Sequence, residues 1–215
     1  MIRLSIDTKA NLNIGPFSRG GYNRCGVKAL DHDFAPEKVL KPFGIFLPEY
    51  DENYFYFTEG HVTADFIADS IENLWTALKT RFNPHTIVIN ADNGPENSSR
   101  RTQFIKRITS FAHQNQIDIC LAYYPPYHSK YNPIERVWAV LENHWRGEII
   151  DSIDKALGLA RTMTWKGINP VVKYVRKAYK KGVSLTKKAM DALEEQIYRV
   201  PGIEKWAVDI NHFGK

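Results

Sequence analysis

The sequence predicts an α/β fold, in which short strands alternate with amphipathic helices. Two observations support this prediction. Apolar residues follow strand and helix periods in the order β, long loop, β, β, α, β, α, β, α. In addition, 43% hydrophobic and 13% aromatic residues among 215 are enough for a large core without metal or disulfide support.

The composition also excludes several classes of protein. No apolar stretch approaches the roughly 20 residues of a membrane span, and no secretory leader follows Met1. The two cysteines, Cys25 and Cys120, stand far apart and lack C-x-x-C partners, which argues against a zinc ribbon. The sequence therefore predicts a cytoplasmic protein without a membrane partner.

The predicted strands are short apolar or β-branched segments that end at turn residues. They are expected at residues 3–7, 41–47, 53–58, 86–90 and 117–124. The Gly-rich segment 9–37 is predicted to be a long loop, and the second and third strands to form a hairpin.

Three helices are predicted between or after these strands, each with an apolar stripe behind a capping residue. The first follows Thr63, and the second follows Ser98 or Ser99. The third follows Asn132, with Pro133 in its first turn.

From residue 151 onward the apolar spacing predicts helices only. The sequence therefore predicts a core domain over residues 1–150 and a basic helical extension over residues 151–215 packed on it. The extension contains nine basic residues and no acidic one between Arg161 and Lys188. Taken alone, such a run more often marks a solvated helix face than a nucleic-acid site.

Three acidic residues stand at predicted strand ends or helix starts, namely Asp7, Asp92 and Glu135. Singly, each is explained by turn formation or helix capping. Three carboxylates brought together at one sheet edge would repel one another unless a cation were bound. Two Mg²⁺ or Mn²⁺ ions would resolve that repulsion and suit phosphodiester chemistry, because both metals prefer oxygen ligands.

The segments around these acids, S-I-D-T-K, I-N-A-D-N-G-P-E-N and Y-Y-P-P-Y-H-S-K-Y-N-P-I-E-R-V-W, resemble a known family. They are similar to the catalytic core of bacterial insertion-sequence transposases of the DDE superfamily. The resemblance is to the ISAzo-type family and, more distantly, to Tc/mariner transposases, and it covers nearly the whole chain.

The resemblance implies an RNase H-like fold, with a mixed five-stranded sheet whose first three strands form an antiparallel meander. It implies that residues 1–150 are a DDE catalytic core and that Asp7, Asp92 and Glu135 are the catalytic, metal-binding triad for two Mg²⁺ or Mn²⁺ ions. The implied reaction is strand cleavage that frees a 3′-hydroxyl, followed by attack of that hydroxyl on target DNA.

Basic residues near the triad and in the extension are predicted to contact the DNA backbone. Those near the triad are Lys9, Arg100, Arg101, His128 and Lys130. Those on the predicted extension helix form a stripe of Lys173, Arg176, Lys177, Lys180 and Lys181. The expected partners are the element ends and the target DNA, and homodimer formation is left open.

Full-length transposases of this kind begin with DNA-recognition modules, whereas Asp7 stands almost at the start of this sequence. The expectation is therefore a catalytic core without end recognition, which binds DNA weakly and non-specifically. Two alternatives remain: a truncated or host-adapted remnant that binds nucleic acid without catalysis, and an RNase H-type nuclease.

Overall fold

A computed structural model describes residues 1–22, 26, 29, 35–125, 128 and 131–214. The strands are β1 (Ile2–Thr8), β2 (Leu12–Ile14), β3 (Lys38–Leu47), β4 (Glu52–Thr58), β5 (Thr86–Ala91), β6 (Asp118–Tyr123), β7 (Val171–Tyr174), β8 (Ile197–Arg199) and β9 (Ala207–Ile210). The helices are α1 (Ala64–Phe82), α2 (Thr102–Asn115), α3 (Ile134–Trp145), α4 (Ile153–Thr162) and α5 (Lys187–Glu194).

The strands join into one mixed sheet in the order β7-β4-β3-β1-β5-β6-β9-β8, with β2 paired to β3. β1, β3 and β4 form the expected antiparallel meander, and β5 and β6 run parallel to β1. The expectation of five strands is wrong, because the described sheet has nine. The outer edges of β4 and β6 would otherwise be unpaired, and strands from the extension cover both.

The extension is not purely helical, which corrects the prediction for residues 151–215. It supplies α4 and α5, but also β7, β8 and β9. The segment predicted to be a helix from Asn169-Pro170 to Gly182 instead begins with β7, which pairs in parallel with β4. β-branched and aromatic residues such as Val171, Val172 and Tyr174 suit a strand, and the open edge of β4 provides the partner.

The predicted loop 9–37 also contains regular structure. Leu12–Ile14 forms β2, in which Leu12 and Ile14 are buried, and it pairs with β3 in antiparallel register. Gly15 continues the attachment, because its backbone N–H donates to the carbonyl oxygen of Ile150 at 2.9 Å. Residues 12–15 of this segment are therefore attached to β3 and to Ile150 by backbone hydrogen bonds.

The helices cover the two faces of the sheet. Leu4 and Ile6 of β1 belong to a core formed with α1 and α2, whereas Phe55 and Phe57 of β4 belong to a second core with α3 and α4. α1 begins after Thr63 as predicted, and the Thr63 hydroxyl accepts from an N–H of the first turn. Among the described residues, no helix is long and apolar enough to cross a membrane.

Candidate active site

The central strands bring two of the predicted acidic residues to one edge of the sheet. Asp7 lies near the end of β1, and Asp92 directly follows β5. Since β1 and β5 are neighbouring parallel strands, their carboxyl ends lie at the same edge. Glu135 lies in the first turn of α3, the helix that packs over β1. Glu135 and Asp92 are close enough for their charges to raise the pKa of Asp7.

Asp7 is the most buried of the three, with 8% of its surface exposed. Burial raises its pKa to about 7, and the charges of Glu135 and Asp92 act in the same direction. The backbone N–H of Thr8 and the indole of Trp138 oppose this effect. The Trp138 Nε1–H donates to Asp7 Oδ2 at 3.1 Å.

Asp92 is held by the turn that follows it. Its Oδ1 accepts from the backbone N–H of Gly94 and from the side-chain amide of Asn97, both at 3.1 Å. Asn93 adopts a left-handed backbone conformation with φ 62°, and its side chain accepts from the N–H of Ser99 at 3.0 Å. A Cβ at Gly94 would lie 3.2 Å from both carboxylate oxygens of Asp92, so glycine leaves room for the carboxylate.

Glu135 is partly buried beside a basic residue. Burial raises its pKa, Asp92 raises it further, and the charge of Lys9 lowers it. The ammonium of Lys9 lies 2.7 Å from a carboxylate oxygen of Glu142, which lies seven residues, about two helical turns, beyond Glu135 on α3. This ion pair holds the Lys9 ammonium close to the acids.

Glu96 takes a structural position at the rim of the site. Its Oε2 accepts from the backbone N–H of Ala64 at 3.1 Å, at the start of α1, and lies 3.2 Å from the guanidinium of Arg101. The charge of Glu96 thus stabilises the N-terminus of α1. The partly buried Arg101 is therefore already paired with Glu96, whereas Arg100 is exposed.

A cavity of about 290 Å³ opens beside Asp7 and Asp92. Its other lining residues are Thr8, Val62, Ile67, Gly94, Pro95, Glu96 and Asn97. The walls therefore combine carboxylates with apolar side chains, and the opening gives a substrate access to the two aspartates.

The donor chemistry at this edge suits a hard divalent cation. All three predicted ligands are carboxylates, and the raised pKa values of Asp7 and Glu135 mean that a bound cation would relieve their repulsion. Among the described residues, no three His, Cys, Asp or Glu side chains stand close enough together to hold a metal ion as they are placed. Lys130 lies outside the described residues, and the ring of His128 stacks on Tyr131 at 5.7 Å between centroids.

The predicted basic stripe of the extension does not exist as a helix face. Lys173 lies on β7 and donates to the side chain of Asn73, and Lys177 pairs with Asp69 at 2.6 Å. The Arg176 guanidinium lies 5.6 Å from the centre of the Tyr174 ring. Lys180 and Lys181 are exposed, in an irregular segment that leads to α5.

Lys181 is close enough to His61 for its charge to act on that ring. Burial lowers the pKa of His61, and the charges of Lys181 and Lys41 lower it further. The Lys41 ammonium lies 3.4 Å from His61 Nδ1. His61 directly precedes Val62, which lines the cavity.

Sequence reasoning missed four residues that shape the site: Ser5, Gly44, Asn97 and Trp138. Helical spacing places Trp138 in the apolar stripe of α3, but a buried indole N–H needs an acceptor, and that need is a signal in the sequence for a polar partner. Asn132 does not cap α3 with its side chain as predicted. Its Nδ2 instead donates to the carbonyl oxygen of Ile6 at 2.9 Å.

Comparison with known families places the chain among transposase DDE domains. It belongs to the family described as the Rhodopirellula transposase DDE domain, which matches residues 2–212. The ISAzo-type DDE resemblance inferred from the three sequence segments is thereby confirmed. A comparison with curated proteins gave no match.

Solved structures similar to the chain include two complexes of the Mos1 mariner transposase. One is a paired-end complex with the left transposon end, at a TM-score of 0.49 and 14% identity. The other is a paired-end complex with Mn, at a TM-score of 0.48 and 15% identity. Each match covers 71% of this chain and 44% of the Mos1 chain, so the present chain spans less than half the length of those proteins.

Proposed function

We propose that this DDE transposase domain cleaves and joins DNA strands by metal-dependent phosphoryl transfer on an RNase H-like scaffold. Asp7, Asp92 and Glu135 would hold the two divalent cations, Mg²⁺ or Mn²⁺. The main support is that Asp7 and Asp92 lie at one edge of the sheet beside an open cavity, with Glu135 near enough for its charge to raise the pKa of Asp7. Proteins of the DDE class use divalent metals, which agrees with this donor set.

The ions, when bound, would polarise the phosphodiester and stabilise the charge that develops during its displacement. The protein's own residues orient the carboxylates that would hold the ions. The amide of Asn97 and the N–H of Gly94 orient the Asp92 carboxylate, and the indole of Trp138 orients Asp7. The positive charge of Lys9 favours the ionised form of Glu135, which is the form that binds a cation.

The proposed reaction has two balanced steps. In cleavage, a water oxygen attacks phosphorus and the bond to the 3′-oxygen breaks, which leaves a 3′-hydroxyl and a 5′-phosphate. In joining, that 3′-hydroxyl attacks a target phosphodiester and displaces the target's own 3′-oxygen, which leaves as a hydroxyl. No covalent link between protein and DNA is needed, so no nucleophilic side chain is required.

DNA is the proposed partner, and exposed basic side chains near the site would hold its backbone. Lys181 near His61, the adjacent Lys180 and the exposed Arg100 are the best placed of the predicted contacts. Lys173 and Lys177 already bind neutral or acidic side chains of α1, so they would have to exchange those partners for phosphates. Such contacts would bind DNA without reading its sequence.

The decisive experiment incubates the chain with a pre-nicked DNA duplex and Mn²⁺, using the wild type, Asp92→Asn and the exposed control Asp191→Asn. We expect metal-dependent cleaved or joined products with the wild type and the control, and none with Asp92→Asn. Equal product from all three proteins would refute the proposal. A parallel RNA–DNA hybrid tests the nuclease alternative, which predicts that the hybrid is cut in preference to DNA.

A further inference from the structure

The helix that carries Glu135 lacks a side-chain cap of its own. The residue before α3 is Pro133, and no side chain at that position accepts from the first turn. The backbone N–H of Ile134, the first residue of the helix, instead donates to the hydroxyl oxygen of Ser5 at 3.0 Å. Ser5 belongs to β1, so the strand that carries Asp7 caps the helix that carries Glu135.

A second bond joins the same strand and helix one step further along. Trp138 lies four residues after Ile134, and its indole donates to Asp7, which lies two residues after Ser5. Two residues along a strand advance about 7 Å, and four residues along a helix advance about 6 Å. Because these distances agree, the strand and the helix make both contacts in a single register.

Asn132 reinforces this register from the loop before α3. Its side-chain oxygen accepts from the Ser5 hydroxyl, and its Nδ2 donates to the carbonyl oxygen of Ile6. Ser5 and Asn132 are both fully buried. Every polar atom in this contact therefore has its partner inside the protein, and a shift of the helix along the strand would leave buried groups unpaired.

The opposite strand provides the space that this packing requires. Gly44 on β3 is the register partner of Asp7. A Cβ at Gly44 would lie 2.6 Å from side-chain atoms of Ile134 and of Trp138. The absence of a side chain at this one position lets α3 approach the sheet where Asp7 lies.

We propose that Ser5 and Trp138 are positioning residues, which fix the spacing between Asp7 and Glu135 for cation binding. This inference rests on the proposed function, because it assigns a purpose to contacts of the same site. Neither residue would touch substrate or metal. They act by holding α3 in one register on β1, and groups that orient metal ligands in this way typically contribute 10- to 100-fold to metal affinity.

The test measures Mn²⁺ binding directly, by titrating the folded protein with Mn²⁺ alone and following the free ion by electron paramagnetic resonance. Trp138→Phe removes the indole donor, and we expect Mn²⁺ affinity to fall by roughly 10-fold or more. Trp75→Phe is the matched control. The Trp75 indole is also buried, donates to a side-chain oxygen of Asn115 at 2.7 Å and contacts a phenylalanine ring, but it lies between α1 and α2.

Ser5→Ala provides a second variant that removes a single oxygen atom and keeps the core intact. Its control is Ser70→Ala, which removes a buried hydroxyl that donates to the carbonyl oxygen of Phe66 at 2.8 Å within α1. We expect Ser5→Ala to weaken Mn²⁺ binding several-fold and Ser70→Ala to leave it unchanged. Urea unfolding of all four variants shows whether each pair loses similar stability.

The variant Asp7→Asn distinguishes failure of the positioning role from failure of the proposed metal site. If Asp7→Asn loses Mn²⁺ binding while Trp138→Phe and Ser5→Ala bind as their controls do, the positioning role is refuted and the proposed metal site stands. If Asp7→Asn binds Mn²⁺ as the wild type does, the metal site itself is refuted, and the positioning role with it.

Discussion

At the scale of single residues, Asp7 combines a charge-bearing side chain with a nearly buried position. Its pKa is raised to about 7 by burial and by the other two acids, above the ordinary value of about 3.9. The folded state therefore holds a proton on Asp7 over a pH range in which the unfolded chain has lost it. The folded protein must lose stability as the pH rises through that range.

We predict that Asp7→Asn stabilises the metal-free protein above pH 7, by about 2–4 kcal/mol, and changes little at pH 4. The amide is neutral at every pH, and its oxygen can still accept from Trp138. Urea unfolding in EDTA between pH 4 and 8 measures the effect. A difference between variant and wild type that is constant across this range would contradict the assigned cause.

Asp118 should show the opposite dependence of stability on pH from Asp7, because its pKa is lowered and not raised. A hydrogen bond from His212 lowers the pKa of Asp118, so its contribution to stability is present above its unfolded pKa and is lost as the pH falls. Asp118→Asn should therefore destabilise the protein at neutral pH and have less effect in acid.

Gly44 leaves the space into which the side chains of Ile134 and Trp138 pack. We predict that Gly44→Ala destabilises the protein by about 1–3 kcal/mol, because the added methyl group would overlap Ile134 and Trp138. Gly158 within α4 is the control, since a Cβ there meets no atom within 4 Å. Gly158→Ala should be neutral or stabilising by about 0.5–1 kcal/mol, and equal losses for both variants in urea unfolding would refute the packing argument.

At the scale of elements, α1 and α2 are joined by one arginine. Arg107 on α2 contacts carboxylates of three residues on α1, at 2.7 Å from Asp65, 2.6 Å from Asp69 and 3.0 Å from Glu72. Its side chain is 23% exposed, so solvent screens these contacts only in part. Asp69 also accepts from Tyr179, which attaches the extension to the same cluster.

We predict that Arg107→Ala destabilises the protein by about 1–3 kcal/mol, because three partly buried carboxylates lose a shared positive charge, although Asp69 keeps its ion pair with Lys177. Arg81→Ala is the comparison, since Arg81 pairs with Glu52 at 2.5 Å while 52% of its side chain is exposed. That variant should lose less than about 1 kcal/mol. Chemical unfolding at low and high salt checks both values, and equal losses would show that the cluster adds nothing beyond a surface pair.

The elements also show how far the sequence predicts this structure. The hairpin of β3 and β4, the buried strand before Asp92 and the three helices of the first part follow from local patterns, and the structure confirms them. The antiparallel pairing of β1 with β3 is expected only from the family resemblance. The strands of the extension do not follow from such local patterns, because Val171 and Val175 have helical spacing, whereas β7 pairs with β4, more than 100 positions earlier in the chain. Pairing at the edge of a sheet that is already formed overrides a local pattern.

The candidate site, too, could be predicted from the sequence only in part. Its three acids could be predicted because each stands where a strand or helix begins or ends, although their joint role remains a proposal. The groups that hold them could not, because their partners lie far apart in sequence. The bond between Trp138 and Asp7 spans 131 positions, and the one between Asn132 and Ser5 spans 127.

At the scale of the whole molecule, the extension completes the sheet on both sides. β7 covers β4, and β9 covers β6. We predict that a chain shortened to residues 1–150 loses cooperative unfolding and aggregates, because both sheet edges and the apolar surface beneath α4 become exposed. Thermal unfolding followed by circular dichroism measures this, and a soluble fragment with a sharp transition would contradict it.

The distribution of exposed charge leads to a prediction about DNA. Reversing two charges with Lys180→Glu and Lys181→Glu should weaken DNA binding and reduce the slope of log affinity against log salt by roughly two units. Lys79→Glu, an exposed lysine in the last turn of α1, is the control and should leave both quantities nearly unchanged. Fluorescence anisotropy at several salt concentrations measures them, and equal slopes for the two variants would remove this segment from the DNA path.

The arrangement of the sheet also has a consequence for synthesis of the protein. Translation delivers the central strands first, yet the outer edge of β6 has no neighbour until residues 207–210 have left the ribosome. More than eighty residues are added between β6 and β9, so the nascent chain exposes an unpaired strand over that stretch. A chain that stalls within it keeps the strand exposed. A chaperone that shields strand edges would have an opportunity here, between emergence of β6 and arrival of β9.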